Sequence, residues 1–319
     1  MKLLKIPLDD IDLKDERFRF SYHFDMKKLL ISIKKIGLVC PLVVVKRDKP
    51  KYVLVSGWKR VLACLELSLT HVPVYLLDEQ DDCRAFLLCL YENWAARNFN
   101  IFEKAEILLK LNGFMGDEKK IVKQFFPLLD IPATLTYFDT YLKIALLDPT
   151  WKKIIFKKKI PLASVQLLTE FSSEDRAQLL PIILPLNMNK LKQVLEDLDD
   201  LSKKTGDSPK VLLSAPEILS VFQSENLSSL QKVEKIRSLL RAKRYPTLSS
   251  WKKSFDTSLK KARLSKEVDF DSASFFEDGE FTVTFSLKNK QAFQKRLSKL
   301  QDLISDEDLF SIFKSYTDG

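Results

Sequence analysis

The feature that most constrains the fold of this chain is a glycine between an apolar run and a helical pattern. The stretch YVLVSGWKRVLACLELSLTHVPVYLL, residues 52–77, predicts a strand, a turn at Ser56-Gly57, a helix and a second strand. The first N–H groups of a helix have no partner within it, and glycine lets a backbone approach a ligand closely. Because Lys59 and Arg60 add positive charge at this point, the turn predicts an anion site.

The scarcity of some residue types excludes several functions. There are only two His, and none of the four Cys forms a CxxC pair, so no metal site held by protein ligands is predicted. A His-based catalytic triad is not predicted either, unless His23 or His71 serves in it. No stretch reaches about 18 uninterrupted apolar residues, so no membrane span is predicted. The N-terminal residues lack the pattern of a secretion signal. We therefore expect a cytoplasmic protein with no membrane partner.

Hydrophobic periodicity predicts three domains and an α+β fold class. Residues 1–98 alternate short apolar runs with helical patterns, which indicates a compact α/β unit. Residues 99–201 contain successive short helical patterns separated by prolines, with no clear strand. After a polar linker, residues 211–319 combine a basic amphipathic helix with an alternating stretch at 280–287 that predicts a strand, which makes this a small mixed α/β region.

Three stretches of the N-terminal third resemble the ParB N-terminal domain, whose fold is shared in outline with sulfiredoxin. They are HFDMKKLLISIKKIGLVCPLVVV, the 52–77 stretch and ENWAARNFNIFEKAEILL, in that order. The resemblance implies a ParB/sulfiredoxin-like α/β domain followed by an all-helical, helix-turn-helix-like domain. It also implies a nucleoid-associated protein that binds DNA in chromosome or plasmid partition or related regulation. A partner protein and a homodimer are further expectations.

The resemblance also implies a nucleotide site. In ParB proteins the segment matching SGWKR helps to hold the triphosphate of CTP with Mg²⁺, and the Glu-Asn segment contributes to slow hydrolysis. A CTP-dependent switch and, at most, a slow CTPase are therefore implied here. The implied catalytic residues are Glu92 and Asn93. The implied nucleotide-binding residues are Gly57, Trp58, Lys59, Arg60 and Arg97, and the Arg60 guanidinium is suited to two phosphate oxygens at once.

This chain departs from the family motif, which is usually Gly-Glu-Arg-Arg. Trp58 stands in place of the Glu, and Lys59 in place of the first Arg. An indole cannot coordinate a metal ion, so nucleotide binding is either altered or lost. In the second case SGWKR is a structural turn with Trp58 packed on the surface. Sulfiredoxin needs a catalytic Cys beside this glycine, and because Trp58 occupies that place a reductase is not expected.

Two regions are candidates for DNA binding. A helix starting near Thr134 stands where the second helix of a helix-turn-helix would lie, but its candidate contacts lack the Arg, Gln and Asn that read base edges. Those contacts are Thr136, Tyr137, Thr140 and Lys143. The segment 232–266 has twelve Lys and Arg against Glu234 and Asp256, so we expect it to dominate non-specific affinity. Its predicted contacts are Lys252, Lys253, Lys260 and Lys261.

Three further interpretations stay open. The five lysines of residues 151–160 either contact phosphates or lie along an amphipathic helix with their heads in water. The same fold also carries kinase and nuclease activities, for which Glu92 with Glu103 or Glu106 would supply acids. Finally, the helical domain suits a non-catalytic adaptor that binds another protein.

Overall fold

The computed structural model describes residues 1–23, 25–47 and 51–250, with scattered positions beyond residue 250. The chain forms two units, Met1–Glu170 and Phe171–Gly319. The α+β class is confirmed, because the first unit contains a sheet and most of the described remainder is helical. The three-domain division stays a prediction.

A five-stranded mixed sheet organises the first unit. Its strands are β1 (Lys2–Pro7), β2 (Ile11–Asp12), β3 (Leu42–Lys46), β4 (Tyr52–Ser56) and β5 (His71–Leu77). Their spatial order is β1-β5-β3-β4-β2, with β1–β5 and β3–β4 antiparallel and β5–β3 and β4–β2 parallel. The central strands β3 and β4 are almost wholly buried, which explains why both are continuous apolar runs.

One face of this sheet is covered by α1 (Lys27–Ile36) and α2 (Trp58–Glu66), which pack against each other. Helix α1 ends at Gly37, whose φ of 76° is left-handed, as predicted for a glycine cap. Trp58, the first residue of α2, has its side chain in the hydrophobic core and is only 4% exposed. The expectation that Trp58 packs on the surface is therefore wrong, because the turn at Gly57 directs the start of α2 onto the sheet.

The other helices of the first unit follow in chain order. They are α3 (Asp82–Ala96), α4 (Ile101–Met115), α5 (Glu118–Phe125), α6 (Leu135–Ala145), α7 (Pro149–Lys158) and α8 (Leu162–Glu170). Helix α3 packs against β4, and α4 contacts α3, α5 and α6. Asn100 and Glu103 form a reciprocal capping box at the start of α4, which fixes the chain between α3 and α4.

The second unit is mainly helical where it is described. Its helices are α9 (Ser173–Ile183), α10 (Met188–Thr205), α11 (Pro209–Leu213), α12 (Pro216–Gln223) and α13 (Ser229–Arg244). Helix α13 packs on α10 and α12. A strand pair, β6 (Asp269–Asp271) and β7 (Thr282–Thr284), follows, and β7 lies within the predicted strand at 280–287. In the part of the chain that is described, no helix combines the length and apolar character needed to cross a membrane.

Candidate functional site

The turn between β4 and α2 has the strained geometry that requires a glycine. Gly57 has a φ of 108°, and a Cβ at this position would lie 2.7 Å from Leu42 Cδ2. Gly57 also leaves the start of α2 without a side-chain cap. The first-turn N–H groups of this helix are therefore free of capping side chains, and they carry the positive end of the helix dipole.

A cavity of about 250 Å³ lies at this helix start. Its lining residues are Phe18, Phe20, Ser21, Leu29, Ser56, Gly57, Trp58, Lys59, Arg60, Cys89, Asn93 and Arg97. Six of the seven residues predicted for the nucleotide site line this cavity, all except Glu92, and Arg97 reaches it from just beyond the end of α3. The described lining contains three cationic side chains and no carboxylate. This charge balance suits an anion.

Two of the residues that line the cavity each have a buried N–H donor without a hydrogen-bond partner in the structure. Arg97 Nη1 donates to Glu103 Oε2 at 2.7 Å, but Arg97 Nη2 is buried without a partner. The indole Nε1 of Trp58 is likewise buried and unsatisfied, although the Arg19 guanidinium lies 4.9 Å from the centre of the indole ring. An unsatisfied buried donor costs about 1–3 kcal/mol, so both favour a ligand rich in acceptor oxygens.

Lys59 and Cys89 are perturbed by the same surroundings. Burial lowers the pKa of the Lys59 ammonium, repulsion from Arg97 lowers it further, and attraction to Glu103 partly opposes both. Burial raises the pKa of the Cys89 thiol to about 12, with a further contribution from the negative charge of Glu92. Cys89 is therefore a neutral side chain, and the charged form of Lys59 is less favoured than it would be in water.

Arg60 has a structural role that its sequence motif does not reveal. Its Nη1 donates to the carbonyls of Cys40 and Pro41, at 3.1 and 2.7 Å, and Nη2 donates to Glu92 Oε1 at 3.3 Å. These bonds attach the start of α2 to the loop before β3. The fork that was expected to bind two phosphate oxygens is thus already engaged by protein acceptors.

The two predicted catalytic residues occupy different places. Asn93 lines the cavity, and its Nδ2 donates to Cys89 O at 2.9 Å. Glu92 is absent from the described lining and lies exposed beside Arg60. Glu103, an alternative acid, is 2% exposed and accepts from Arg97 and the backbone of Tyr22 and Asn100, so it serves the fold. Slow hydrolysis by Glu92 and Asn93 stays a prediction.

Sequence reasoning missed the apolar part of the lining. Phe18, Phe20 and Ser21 reach the cavity from the segment before α1, and Leu29 comes from α1 itself. The two phenylalanines at positions 18 and 20 were the available signal, because large apolar side chains that recur so closely are usually buried. Arg17 instead forms ion pairs with Asp15 and Asp82.

The predicted DNA-reading helix is α6, and its structure corrects part of the expectation. Thr140 is 6% exposed and donates to the Thr136 carbonyl, so it does not contact DNA. Lys143 is exposed but pairs with both carboxylate oxygens of Glu170 at 2.8 Å. The local reason is the packing of α6 on α4 and α8, which turns the Thr140 side of the helix inward.

Only part of the predicted C-terminal DNA surface can be located. Lys253 is exposed at a helical position, whereas Lys252, Lys260 and Lys261 lie outside the described residues. Within α13, Arg244 pairs with Asp197 and Asp200, and Lys243 pairs with Glu217. Much of the charge of this described helix is therefore neutralised inside the second unit.

The chain is similar to known proteins in its N-terminal part and beyond. The model of the ParB N-terminal domain matches residues 2–94. A probable chromosome-partitioning protein ParB of Borreliella burgdorferi is 28% identical over 185 residues, which cover 57% of this chain and 68% of the relative. Its counterpart in Chlamydia muridarum is 26% identical over 221 residues, which cover 65% and 77%.

A solved structure is also similar to this chain. It is the C-terminally truncated chromosome-partitioning protein ParB from Caulobacter crescentus complexed with CTP-gamma-S, at 16% identity and a TM-score of 0.28. The match covers 54% of this chain and 94% of that one.

Within the described residues, no group of three or more His, Cys, Asp and Glu side chains is placed to hold a metal ion.

Proposed function

We propose that this chain, whose residues 2–94 match the ParB N-terminal domain, is a ParB-like partition protein that acts on DNA and binds CTP at the start of α2. Its relatives from Borreliella burgdorferi and Chlamydia muridarum are probable chromosome-partitioning proteins. The observation that carries the nucleotide half is the pair of unsatisfied buried donors, Trp58 Nε1 and Arg97 Nη2, in a cation-lined cavity.

A triphosphate matches this chemistry better than a neutral ligand does. Phosphate oxygens accept several hydrogen bonds each, and their charge would offset the repulsion between Lys59 and Arg97. The uncapped N–H groups after Gly57 add donors aligned with the helix dipole. The cavity is slightly smaller than a typical pocket of about 300–1,000 Å³, so the phosphates are the part of the nucleotide that it would enclose.

The Mg²⁺ that usually accompanies a triphosphate would be held mainly by the phosphates themselves. Protein sites for Mg²⁺ often supply only one or two carboxylates, with substrate oxygens and water completing the shell. Glu92, exposed at the Arg60 side of the cavity, is the residue that would coordinate it. When bound, Mg²⁺ would neutralise part of the negative charge of the phosphates.

The decisive test compares Arg97→Lys with the parent in calorimetric titrations of CTP, ATP and GTP. The substitution keeps a cation for Glu103 but removes the unsatisfied Nη2, so we expect at least about a tenfold loss of affinity for the preferred nucleotide. Arg84→Lys is the matched control, because Arg84 is an exposed residue of α3 outside the cavity lining. The control should bind as the parent does.

Two results would contradict the nucleotide proposal. The first is that none of the three nucleotides binds to the parent. The second is equal affinity of Arg97→Lys and the parent, which would place the phosphates elsewhere. Arg60 is a less informative position for substitution. Its loss would also release the loop at Cys40 and Pro41, so a binding defect would not separate contact from folding.

An adaptor role of α6 is the second candidate, and the outward face of that helix favours it. Leu135 and Leu146 are 45% and 73% exposed, and Asp139 is exposed between them. Base-reading helices instead present Arg, Lys, Asn or Gln to the major groove. Selection from a randomised duplex library tests this. An adaptor face predicts no enriched sequence, whereas an enriched site lost on Thr136→Ala would restore α6 as a reader.

A further inference from the structure

Residues 149–160, which comprise α7 and the two residues after it, contain five lysines and no acidic residue. Its buried stripe consists of Trp151 and Ile155, which are one turn apart. Lys153 and Lys157 each follow a member of this stripe by two residues, which is about 200° around the helix. These two lysines are therefore on the outward side of α7, and both are exposed.

The lysines of this segment differ in what they contact. Lys152 Nζ donates to Ala145 O at 2.6 Å and so binds the last carbonyl of α6, and Lys158 also interacts within the chain. Lys159 ends α7 in the left-handed conformation with a φ of 54° and is exposed. Among the residues that the structure describes, Lys153, Lys157 and Lys159 have no acidic partner.

We propose that Lys153, Lys157 and Lys159 form a surface that holds the phosphate backbone of duplex DNA without reading its sequence. The proposal rests on the DNA half of the proposed function and assigns it a surface, hereafter the α7 surface. Lys153 and Lys157 are about 6 Å apart along the helix axis. Phosphates follow each other every ~3.4 Å of duplex axis on each strand, so the two ammonium groups can contact separate phosphates.

The surroundings of α7 favour DNA over other polyanionic partners. A helix that lies on an anionic membrane needs a free apolar face, but the apolar stripe of α7 is buried in the first unit. A protein interface usually has an apolar, aromatic centre, whereas the outward side of α7 presents lysine heads. Lysine contacts to phosphate need neither a free apolar face nor an aromatic centre, and they carry no sequence information.

The test measures binding of the full chain to a random-sequence duplex by fluorescence anisotropy over a series of salt concentrations. The variant replaces Lys153, Lys157 and Lys159 with Gln. The control replaces Lys190, Lys210 and Lys243 with Gln, since each of these lysines pairs with a Glu of the second unit. Both variants lose the same net charge, so any difference between them reports the location of the charge.

We expect the α7 variant to bind at least about tenfold more weakly at ~0.1 M salt, and its log–log salt slope to be shallower by about 3, because three phosphate contacts are lost. The control should stay within about twofold of the parent. Lys153→Arg, Lys157→Arg and Lys159→Arg together should restore binding, which separates charge from shape. Thermal melting of each variant should match the parent.

Several outcomes would overturn the proposal. Equal losses in the two Gln variants would mean that overall charge matters and position does not. Binding of the α7 variant at parental strength would place the DNA surface elsewhere. A loss of binding to anionic vesicles, with duplex binding intact, would assign the surface to lipid. If the parent itself binds no duplex, the DNA half of the proposed function fails instead.

Discussion

Helices α2 and α13 both carry clustered cations, but their charges have different surroundings. Helix α13 begins with a capping box between Ser228 and Gln231, and Arg244 at its end pairs with Asp197 and Asp200. Helix α2 begins at Gly57 without a side-chain cap, and its cations share a cavity with Arg97. The helix start and the terminal cation of α13 thus have partners within its own unit, whereas α2 leaves hydrogen-bond donors available for a ligand.

This difference shows why net charge alone ranks surfaces poorly. The segment 232–266 has the largest excess of Lys and Arg in the chain. In its described helix, however, Lys243 pairs with Glu217 of α12, and Arg244 pairs with Asp197 and Asp200 of α10. The neutral region 111–200 nevertheless contains the α7 surface. The dominance of 232–266 in DNA binding stays a prediction, because three of its four predicted contacts lie outside the described residues.

The largest effect is expected at the start of α2. Gly57→Ala would place a Cβ 2.7 Å from Leu42 Cδ2 at a φ of 108°, so we expect a loss of about 3 kcal/mol in the free energy of unfolding. Nucleotide binding should be lost with it. Urea denaturation and calorimetric titration measure the two effects.

The matched change at the start of α13 is Ser228→Ala. It removes a capping hydrogen bond and should cost about 1 kcal/mol, with nucleotide affinity unchanged. A Gly57→Ala protein as stable as Ser228→Ala would show that the α2 turn tolerates a side chain. The two helix starts would then differ less than their geometry indicates.

At the other end of α13 the expected effect lies between those of Gly57→Ala and Ser228→Ala. Arg244→Leu leaves Asp197 buried without its cation, and we expect a loss of about 2 kcal/mol because Arg244 itself is partly exposed. Adding Asp197→Leu should restore most of the stability. Denaturation of the single and double variants measures both effects. If DNA affinity falls in the still-folded single variant, α13 is a binding surface and its charges are not merely structural.

The N-terminal fold was predictable because its signals are local. The strands β3, β4 and β5 are apolar runs bounded by turn residues, and Gly37 and Gly57 mark helix boundaries directly. Strand β2 has only two residues and pairs with β4 through tertiary contacts, so no periodic pattern reveals it. The family resemblance added the order of the motifs, and the family match at residues 2–94 covers the first two of them and the start of the third.

The site was predictable only in part, since long-range contacts decide what each side chain does. The sequence places Arg60 beside the glycine, but not the carbonyls of Cys40 and Pro41 that bind it. It likewise gives no sign that Glu170 pairs with Lys143, or that Trp58 turns inward. Such pairings join residues far apart in the chain, and periodicity carries no information about them.

The smallest predicted effect concerns the charge of Lys59. Burial and Arg97 lower the pKa of Lys59 below 10.5 in the folded protein, so between that lowered value and 10.5 the unfolded chain binds more protons and stability rises with pH. A bound triphosphate should raise this pKa again, because its negative charge favours the ammonium form. Nucleotide affinity should therefore fall as the pH rises through the lowered pKa, which titrations from about pH 7.5 to about pH 10 would detect. Lys59→Arg keeps its charge over this range and should bind with little pH dependence. Parallel profiles for the two proteins would show that the phosphates do not contact Lys59, and α2 would then resemble α13 as a helix whose cations serve the fold.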